Sequence, residues 1–519
     1  MSQFLEQTVS SNIAVTENCA ISNFTTGSII VDQFGRAGTF RDRTYDQVAA
    51  DCAKAWGENP LAALRLMFYL RLITRKIVGE ISTDSIQKGQ GQRDEFFKRM
   101  AWLAKNHFST FEKVLMYVPL FGTYKDYFDM LRSNLFTQRS VDKIYECVVA
   151  GLASEQTSNL VKKYLPAECG KVALREKYSR KEQNTQIARA LRSKLGLSSS
   201  AYRKMKASGT AHQWQQAISN KSFGNINFKT VASRALAKMV DSKFLGNHNL
   251  EYSYMKWLES QGSLNFNGYP YELYKMATKK NVTNIKEFTL NKMFDGLLAK
   301  SEPLSGNVWC ALDTSGSMVC EVAKGTQAVQ VCVGLGLYFS ALNTGKFKDF
   351  VVMFDDESRG LKLSGSFVDK VRQIKAQATA WGSTNFQSII DLMISIREKS
   401  PSIPIEDYPE IILVISDMQF NPSGYNMRTN YQDAKVKLAS VFPKEYVDKI
   451  KFVWWQVNGE YGNDHPSTMG NGGTYVFSGF DGGIIDLLLG KSVAEKHKVT
   501  MEEMVKISLN QEILLNLTL

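Results

Sequence analysis

Val308-Trp309-Cys310-Ala311-Leu312-Asp313-Thr314-Ser315-Gly316-Ser317 is the stretch whose reading decides the fold. Five apolar residues in succession read as a strand buried on both faces. The polar turn after them puts an aspartate and two serines where that strand ends. Working outward, short apolar runs recur at 350–354, 411–415, 452–457 and 475–477, with helical patterns at 327–342, 367–376, 386–396, 433–442 and 484–489 between them. Strand and helix in alternation predict a doubly wound α/β domain with a largely parallel sheet. Its ligand site belongs at the carboxyl ends of the strands, where the strand order reverses.

Two further loops meet that edge. Thr384, in Trp381-Gly382-Ser383-Thr384-Asn385, opens a helix, and Asp417, after Ile415-Ser416, closes the strand 411–415. Asp313, Ser315, Ser317, Thr384 and Asp417 therefore form a set of side-chain oxygens with two carboxylates. Oxygen-only ligation with few charges suits a hard divalent cation, Mg²⁺ first, with Mn²⁺ and Ca²⁺ compatible with the same donors. Five histidines, none paired with another at ligand spacing, supply no zinc site, and seven scattered cysteines without a CxxC pair predict reduced thiols in a cytoplasmic protein. No run of about 18 apolar residues occurs, so no membrane span is expected. The polar N-terminus does not read as a secretory leader.

The first 300 residues have a different texture. Apolar residues at helical spacing run through 49–81, broken at Gly57–Pro60, then through 96–108, 111–120, 124–135 and 141–153. They predict an all-α array of helical hairpins of the HEAT-repeat kind. The net charge of +12 is split unevenly: residues 1–300 carry 43 Lys+Arg against 26 Asp+Glu, and residues 301–519 carry 20 against 25. Between Val161 and Val240 there are 17 basic residues and three acids. Such a density draws in polyanions, chiefly nucleic acid. Helices over 181–195 and 199–208, joined at Gly196 and Ser198–Ser200, would carry much of it. The candidate contacts are Lys162, Lys163, Arg175, Lys177, Arg180, Lys181, Arg189, Arg192, Arg203 and Lys204. Tyr202, Trp214, Phe223 and Phe228 interleave with these charges, but aromatic residues among helices more often form core. Lys88-Gly89-Gln90-Gly91-Gln92-Arg93 lacks the Lys-Ser/Thr ending of a P-loop and reads as a helix–helix turn.

The five oxygen donors, in this order at strand ends and a helix start, resemble the metal-ion-dependent adhesion site of von Willebrand factor A domains, which have a Rossmann-like fold. The resemblance implies that Ser315 and Ser317 bind the ion directly and that Asp313 acts largely through water. Thr384 and Asp417 would complete the shell, leaving an open position for a partner's carboxylate. The first half resembles the helical-repeat domain, ring or horseshoe, of Ro autoantigen-type (TROVE) proteins. It is more similar still to a related uncharacterised family of plants, viruses and phages. The residues that carry this are 88–93 with Phe96-Phe97 and Trp102 to His107, then Phe121-Gly122-Thr123-Tyr124-Lys125-Asp126, Lys163 to Pro166, and Ala188 to Leu197. Tyr202-Arg203-Lys204, Ser233-Arg234-Ala235 and Asn267 to Leu273 complete it. It implies binding of small noncoding RNA or of the 3′ ends of misfolded RNA.

The expected organisation is an N-terminal extension (1–48), a basic helical-repeat domain (49–300), an A domain (301–490) and a helical tail (491–519). The expected function is noncatalytic RNA binding by a monomeric cytoplasmic protein with a Mg²⁺-binding A domain. No Ser/His/Asp set, Cys/His pair or general base beside the metal donors suggests an enzyme. The alternative is a protein–protein scaffold, in a viral or phage setting, whose metal site grips an acidic residue of a partner.

Overall fold

A computed structural model describes residues 12–76, 86–168, 180–209, 212–377, 382–424, 428–459, 464–485, 489 and 500–519. The first half is mostly helical, and the C-terminal part is built on one six-stranded sheet. Its strands are β1 (Val308–Asp313), β2 (Phe350–Phe354), β3 (Ser358–Lys362), β4 (Ile411–Ser416), β5 (Lys451–Gln456) and β6 (Thr474–Ser478). The order across the sheet is β6-β5-β4-β1-β2-β3. All neighbours run parallel except β3, which returns antiparallel beside β2. The chain winds from β1 out to β3, then comes back to β4 on the other side of β1. The reversal of strand order therefore lies between β1 and β4, where Asp313 and Asp417 stand.

β1 and β4 are buried at every position, as continuous apolar runs in a covered parallel sheet should be. The sequence pattern did not reveal β3, because Ser-Arg-Gly-Leu-Lys carries no apolar run. It is an edge strand, where polar and basic residues are favoured. The helix expected at 433–442 begins earlier, at Asn430, where Thr429 forms a capping box with Gln432. Of the helix expected at 484–489, residues 482–485 form a 3₁₀ turn and 486–488 lie outside the described residues.

The chain divides into two compact units along lines that composition did not mark. One comprises residues 1–41 and 232–510, the other 42–231 and 511–519. The domain boundary expected between residues 300 and 301 falls inside one unit: Leu304 is buried, with its amide on Leu342 O, and Ser305 N bonds Leu489 O. The cause is the helix Ala328–Leu342, with twelve of its fifteen residues buried. A helix apolar all round needs cover on both sides. β1 provides one side; a Cβ at Gly336 would stand 2.2 Å from Leu312 Cδ2. The helix Pro270–Ala277 provides the other, approaching so closely that a Cβ at Gly334 would stand 2.6 Å from Tyr271 Cα.

The segment expected as an extension is likewise built into this unit. The helix Ile29–Ala37 lies on β6, with the Gly38 amide donating to Ser478 Oγ at 2.9 Å. The helix Met501–Leu509 packs on both.

In the other unit, helices Tyr45–Glu58 and Pro60–Arg71 meet at the expected break. The second ends at Arg71, not at 81: Leu72 turns extended, and Ile73 donates its amide to Phe121 O. Residues 88–93 explain the stop. The amides of Gln90, Gly91 and Gln92 donate to the carbonyls of Tyr69, Leu72 and Leu70. They cap the helix and leave no amide cradle for phosphate. Beside them Arg71 and Asp126 form a fully buried ion pair at 2.6 Å, which Arg93 joins at 3.1 Å. The Asp126 carboxylate also accepts from Thr123 N and leaves no room for a Cβ at Gly122. Two motifs of the Ro-type resemblance are thus structural joints of this unit. Tyr202 and Phe228 are core, as aromatic residues among helices usually are.

Candidate metal centre and basic patch

β1, β4 and the loop before helix Gln387–Lys399 bring all five oxygen-bearing residues to one point. The Asp313 carboxylate accepts from Ser315 N at 3.0 Å and from the Ser416 hydroxyl. Ser315 Oγ lies 3.3 Å from Ser317 Oγ and accepts from Thr384 Oγ1 at 3.0 Å. The Thr384 loop is tied to each neighbour: Gly316 N donates to Gly382 O, Asn421 N to Thr384 O, and Ser383 N to Asp356 Oδ1 at 2.8 Å. On the third loop, Asp417 Oδ1 accepts from Gln419 N at 3.2 Å. Met418 between them holds a left-handed φ of +66°, a strained conformation for a side chain with a Cβ, fixed by its amide on Ser416 Oγ.

The electrostatics are those of a site that wants a cation. Asp313 and Asp417 are fully buried, and no basic side chain pairs with either among the described residues. Burial, then the negative charge of Asp417, pushes Asp313 up to about 7. Burial also raises Asp417, against the hydroxyl of Ser317 and the amide of Gln419, which lower it. Among the described residues Asp417 Oδ2 has no hydrogen-bond donor, although a buried unsatisfied carboxylate oxygen costs on the order of 1–3 kcal/mol or more. The hydroxyl spacings of 3.0 and 3.3 Å match the oxygen–oxygen edge of an octahedral shell, about 3 Å for metal–oxygen bonds near 2.1 Å. The donor set therefore fits Mg²⁺ or Mn²⁺. Asp313, Ser315, Ser317, Thr384 and Asp417 would hold the ion, which would supply a positive centre able to take a further oxygen ligand.

Ser416, Gln419 and Asn18 also belong to this site, and sequence reasoning assigned none of them a role. Ser416 lies beside a named residue and faces Asp313. Gln419 donates to Asp464 at 3.2 Å, and Asn18 Nδ2 reaches Thr384 Oγ1 at 3.4 Å. No local pattern could have disclosed a contact across 366 positions.

Of the ten basic candidates, Arg175 and Lys177 lie outside the described residues, as do Cys169 and Trp381. The other eight sit on three helices of the second unit, Ser158–Tyr164, Arg180–Lys194 and Ser199–Ala207. Four gather around Glu168 and a cleft. Arg189 and Arg192 approach Glu168 loosely, at 3.7 and 3.6 Å. Glu168, Lys163 and Arg203 line a cleft of about 570 Å³, together with Tyr164 and Lys206. Lys162 lies on the same helix as Lys163, and Lys204 is exposed beside Arg203. Arg180 and Lys181 are exposed at the far end of their helix, where Arg180 repels Arg132. Lys206, absent from the sequence-derived set, is half-buried; burial lowers its amine, whose Nζ donates to Leu165 O at 2.6 Å.

The fold and the oxygen site define an α/β unit with five side-chain oxygen donors gathered at its switch point, joined to a basic helical unit. Two family models match separate parts of the chain. A domain of unknown function, DUF2828, matches residues 16–213, and another, DUF7788, matches 308–513. The uncharacterised protein L728 of Acanthamoeba polyphaga mimivirus is 25% identical over 529 residues, covering 92% of this chain and 85% of its own length. The crystal structure of the Deinococcus radiodurans Ro (RSR) protein aligns with 93% of this chain and 99% of its own, at 12% identity and a TM-score of 0.47. Among the described residues, no helix is long and apolar enough to cross a membrane.

Proposed function

We propose that the protein is a noncatalytic RNA-binding protein that holds small structured noncoding RNA, or RNA 3′ ends, on its basic helical unit. Its α/β unit would carry a Mg²⁺ ion. The observation that carries this reading is the cluster of Lys163, Arg189, Arg192 and Arg203 around one cleft, with Glu168 the only acid lining it among the described residues. Lys162, Lys181 and Lys204 have no acidic partner among the described residues. Cations left without acids repel one another, and a phosphate backbone relieves that repulsion by releasing counterions. The Ro-type motifs of the sequence point the same way. The test is equilibrium binding of a structured RNA across a salt series. A steep fall of affinity with salt and little sequence preference are expected, and a flat response would remove the reading's main support.

A second reading is favoured by the metal edge itself. There the ion would grip a carboxylate of a partner protein. A cleft of about 620 Å³ lined by Cys19, Ile21, Asn421, Pro422 and Arg428 opens beside the Thr384 and Asp417 loops and offers such a partner a surface. A complex lost in EDTA and in Asp313→Ala, without RNA, would support it.

A further inference from the structure

The cleft of the helical unit lies where the helices Ser158–Tyr164 and Ser199–Ala207 are pinned together. Tyr202 donates its hydroxyl to Pro166 O at 3.1 Å, and Lys206 Nζ donates to Leu165 O at 2.6 Å. Just past the second helix, Gly209 comes so close to the first that a Cβ there would stand 2.7 Å from Lys162 C. A cleft fixed in this way loses little entropy when a ligand enters. Its volume, about 570 Å³, is that of a small-molecule site.

The chemistry of the lining is divided. Lys163 and Arg203 are exposed, and Tyr164, Ala167 and Ala207 supply apolar wall. Glu168 is the acid. Its side chain is only 15% exposed, yet Arg189 Nε and Arg192 Nε stand 3.7 and 3.6 Å from its oxygens, beyond hydrogen-bond length. Among the described residues Glu168 Oε2 accepts no hydrogen bond, and Arg192 Nε makes none. A buried carboxylate oxygen without a donor is unfavourable, so the position calls for N–H groups brought by a ligand.

Lys163 and Arg203 attract a phosphate and Glu168 repels it, so a nucleotide enters with its base toward the carboxylate. An ionised carboxylate only accepts. Among RNA bases, guanine alone sets two donors side by side, N1–H and the 2-amino group, to meet both oxygens. Adenine and cytosine place a ring acceptor beside their amino group, and uracil flanks its one N–H with carbonyls. In a duplex that edge of guanine is already paired.

We propose that this cleft binds one unpaired guanine of the RNA. Glu168 accepts from N1–H and the 2-amino group, while Lys163 and Arg203 hold the adjoining phosphates. The preference is confined to that nucleotide, because phosphate contacts elsewhere carry no sequence information. The proposal rests on the RNA-binding reading.

The test uses the full chain and a labelled RNA hairpin whose short oligouridine 3′ overhang carries one guanosine, inosine, adenosine or cytidine. Fluorescence anisotropy at one salt concentration gives each Kd. The guanosine RNA should bind about tenfold tighter than the adenosine and cytidine RNAs, with inosine, which lacks the 2-amino group, in between. In Glu168→Gln the RNAs should move in opposite directions. The guanosine RNA weakens because the double acceptor is gone, and the adenosine RNA tightens about twofold because the cleft has lost a negative charge. Binding of the adenosine RNA also shows that the variant folds. GMP should displace the guanosine RNA only at far higher concentration, and GMP binding as tightly as the RNA would overturn the assignment to RNA. A parent that binds none of the four would overturn the RNA-binding reading and this proposal with it. A parent that binds all four alike, or a Glu168→Gln that shifts all four alike, would overturn the proposal alone.

Discussion

Asp313→Asn separates the two things a buried carboxylate does in the α/β unit. Without a cation, Asp313 faces Asp417 with no basic partner among the described residues, and burial with that neighbour raises it from 3.8 to about 7. A folded-state pKa above the unfolded one means that the folded protein holds more protons. Stability from this group is therefore present below the unfolded value and is lost as pH rises through about 7. A shift of about three units, at about 1.4 kcal/mol each, makes the ionised pair cost about 4 kcal/mol above pH 7. Asparagine removes the charge, still accepts from Ser315 N, and offers its amide to Ser416 Oγ. In EDTA above neutral pH the variant should therefore be more stable than the parent, by up to about 4 kcal/mol. With Mg²⁺ the order should reverse, because only the parent gains binding free energy. Native-state hydrogen exchange, read on peptides covering β1 and β4, confines the measurement to this unit. Protection should rise up to about a thousandfold in EDTA. A variant less protected than the parent in EDTA, or equally protected by Mg²⁺, would refute the argument that these carboxylates await a cation.

His465 should make the N-terminal hairpin, Ala14–Val15 with Ile21–Ser22, acid-sensitive. Burial, only partly offset by Asp32 at 3.5 Å, lowers it from 6.5 to about 4. The unfolded chain thus binds the extra proton first, and stability is full above 6.5 and lost as pH falls toward 4, by about 3 kcal/mol. Exchange on peptides around Asn23 and His465 should report the loss, and His465→Gln should abolish its pH dependence. Reversing charge at the cleft, in Lys163→Glu with Arg203→Glu, should lower RNA affinity at least about tenfold and flatten the salt slope by roughly two; filter binding at several salt concentrations checks both. Gly38→Ala would place a Cβ 2.4 Å from Ser478 O, which is sheet backbone and cannot recede. It should cost about 2 kcal/mol or more, read as lost protection of the helix Ile29–Ala37. Gly57, in a helix with open space around it, is the contrast: Gly57→Ala should stabilise the helical unit by about 0.5–1 kcal/mol in urea unfolding.

How far the fold was legible depended on where the signal lives. β1, β2 and β4 announced themselves because a strand buried on both faces must be apolar throughout, and that is visible along the chain. β3 did not, since an edge strand answers to solvent. The unit boundary escaped for another reason. Texture changes at residue 300, where helix-rich sequence gives way to apolar runs, but membership of a unit is decided by which faces bury each other. The helix Ala328–Leu342 needed a second cover, and Gly334 was the local trace of it. A glycine inside an otherwise ideal buried helix marks a close approach without saying which element approaches. Only the fold identifies that element as the helix Pro270–Ala277.

The site divides in the same way. Asp313, Ser315 and Ser317 share one turn, and Thr384 and Asp417 stand at element ends that the winding of a parallel sheet must bring to one edge, so all five could be read before any coordinates. What positions and balances them could not. Ser416, Gln419 and Asn18 act through contacts that span 103, 45 and 366 residues, and nothing in the neighbourhood of Asn18 distinguishes it from a surface asparagine. The basic candidates show the converse limit. Charge density along the chain pointed to the helices that stand around the cleft, but Arg180 and Lys181 share a helix with Arg189 and Arg192 and stand at its opposite end. Linear density counts charges without regard to the face or end that carries them. A phosphate backbone responds to the arrangement in space, so the salt slope of a cleft variant, rather than the net charge, measures how many of these cations act together.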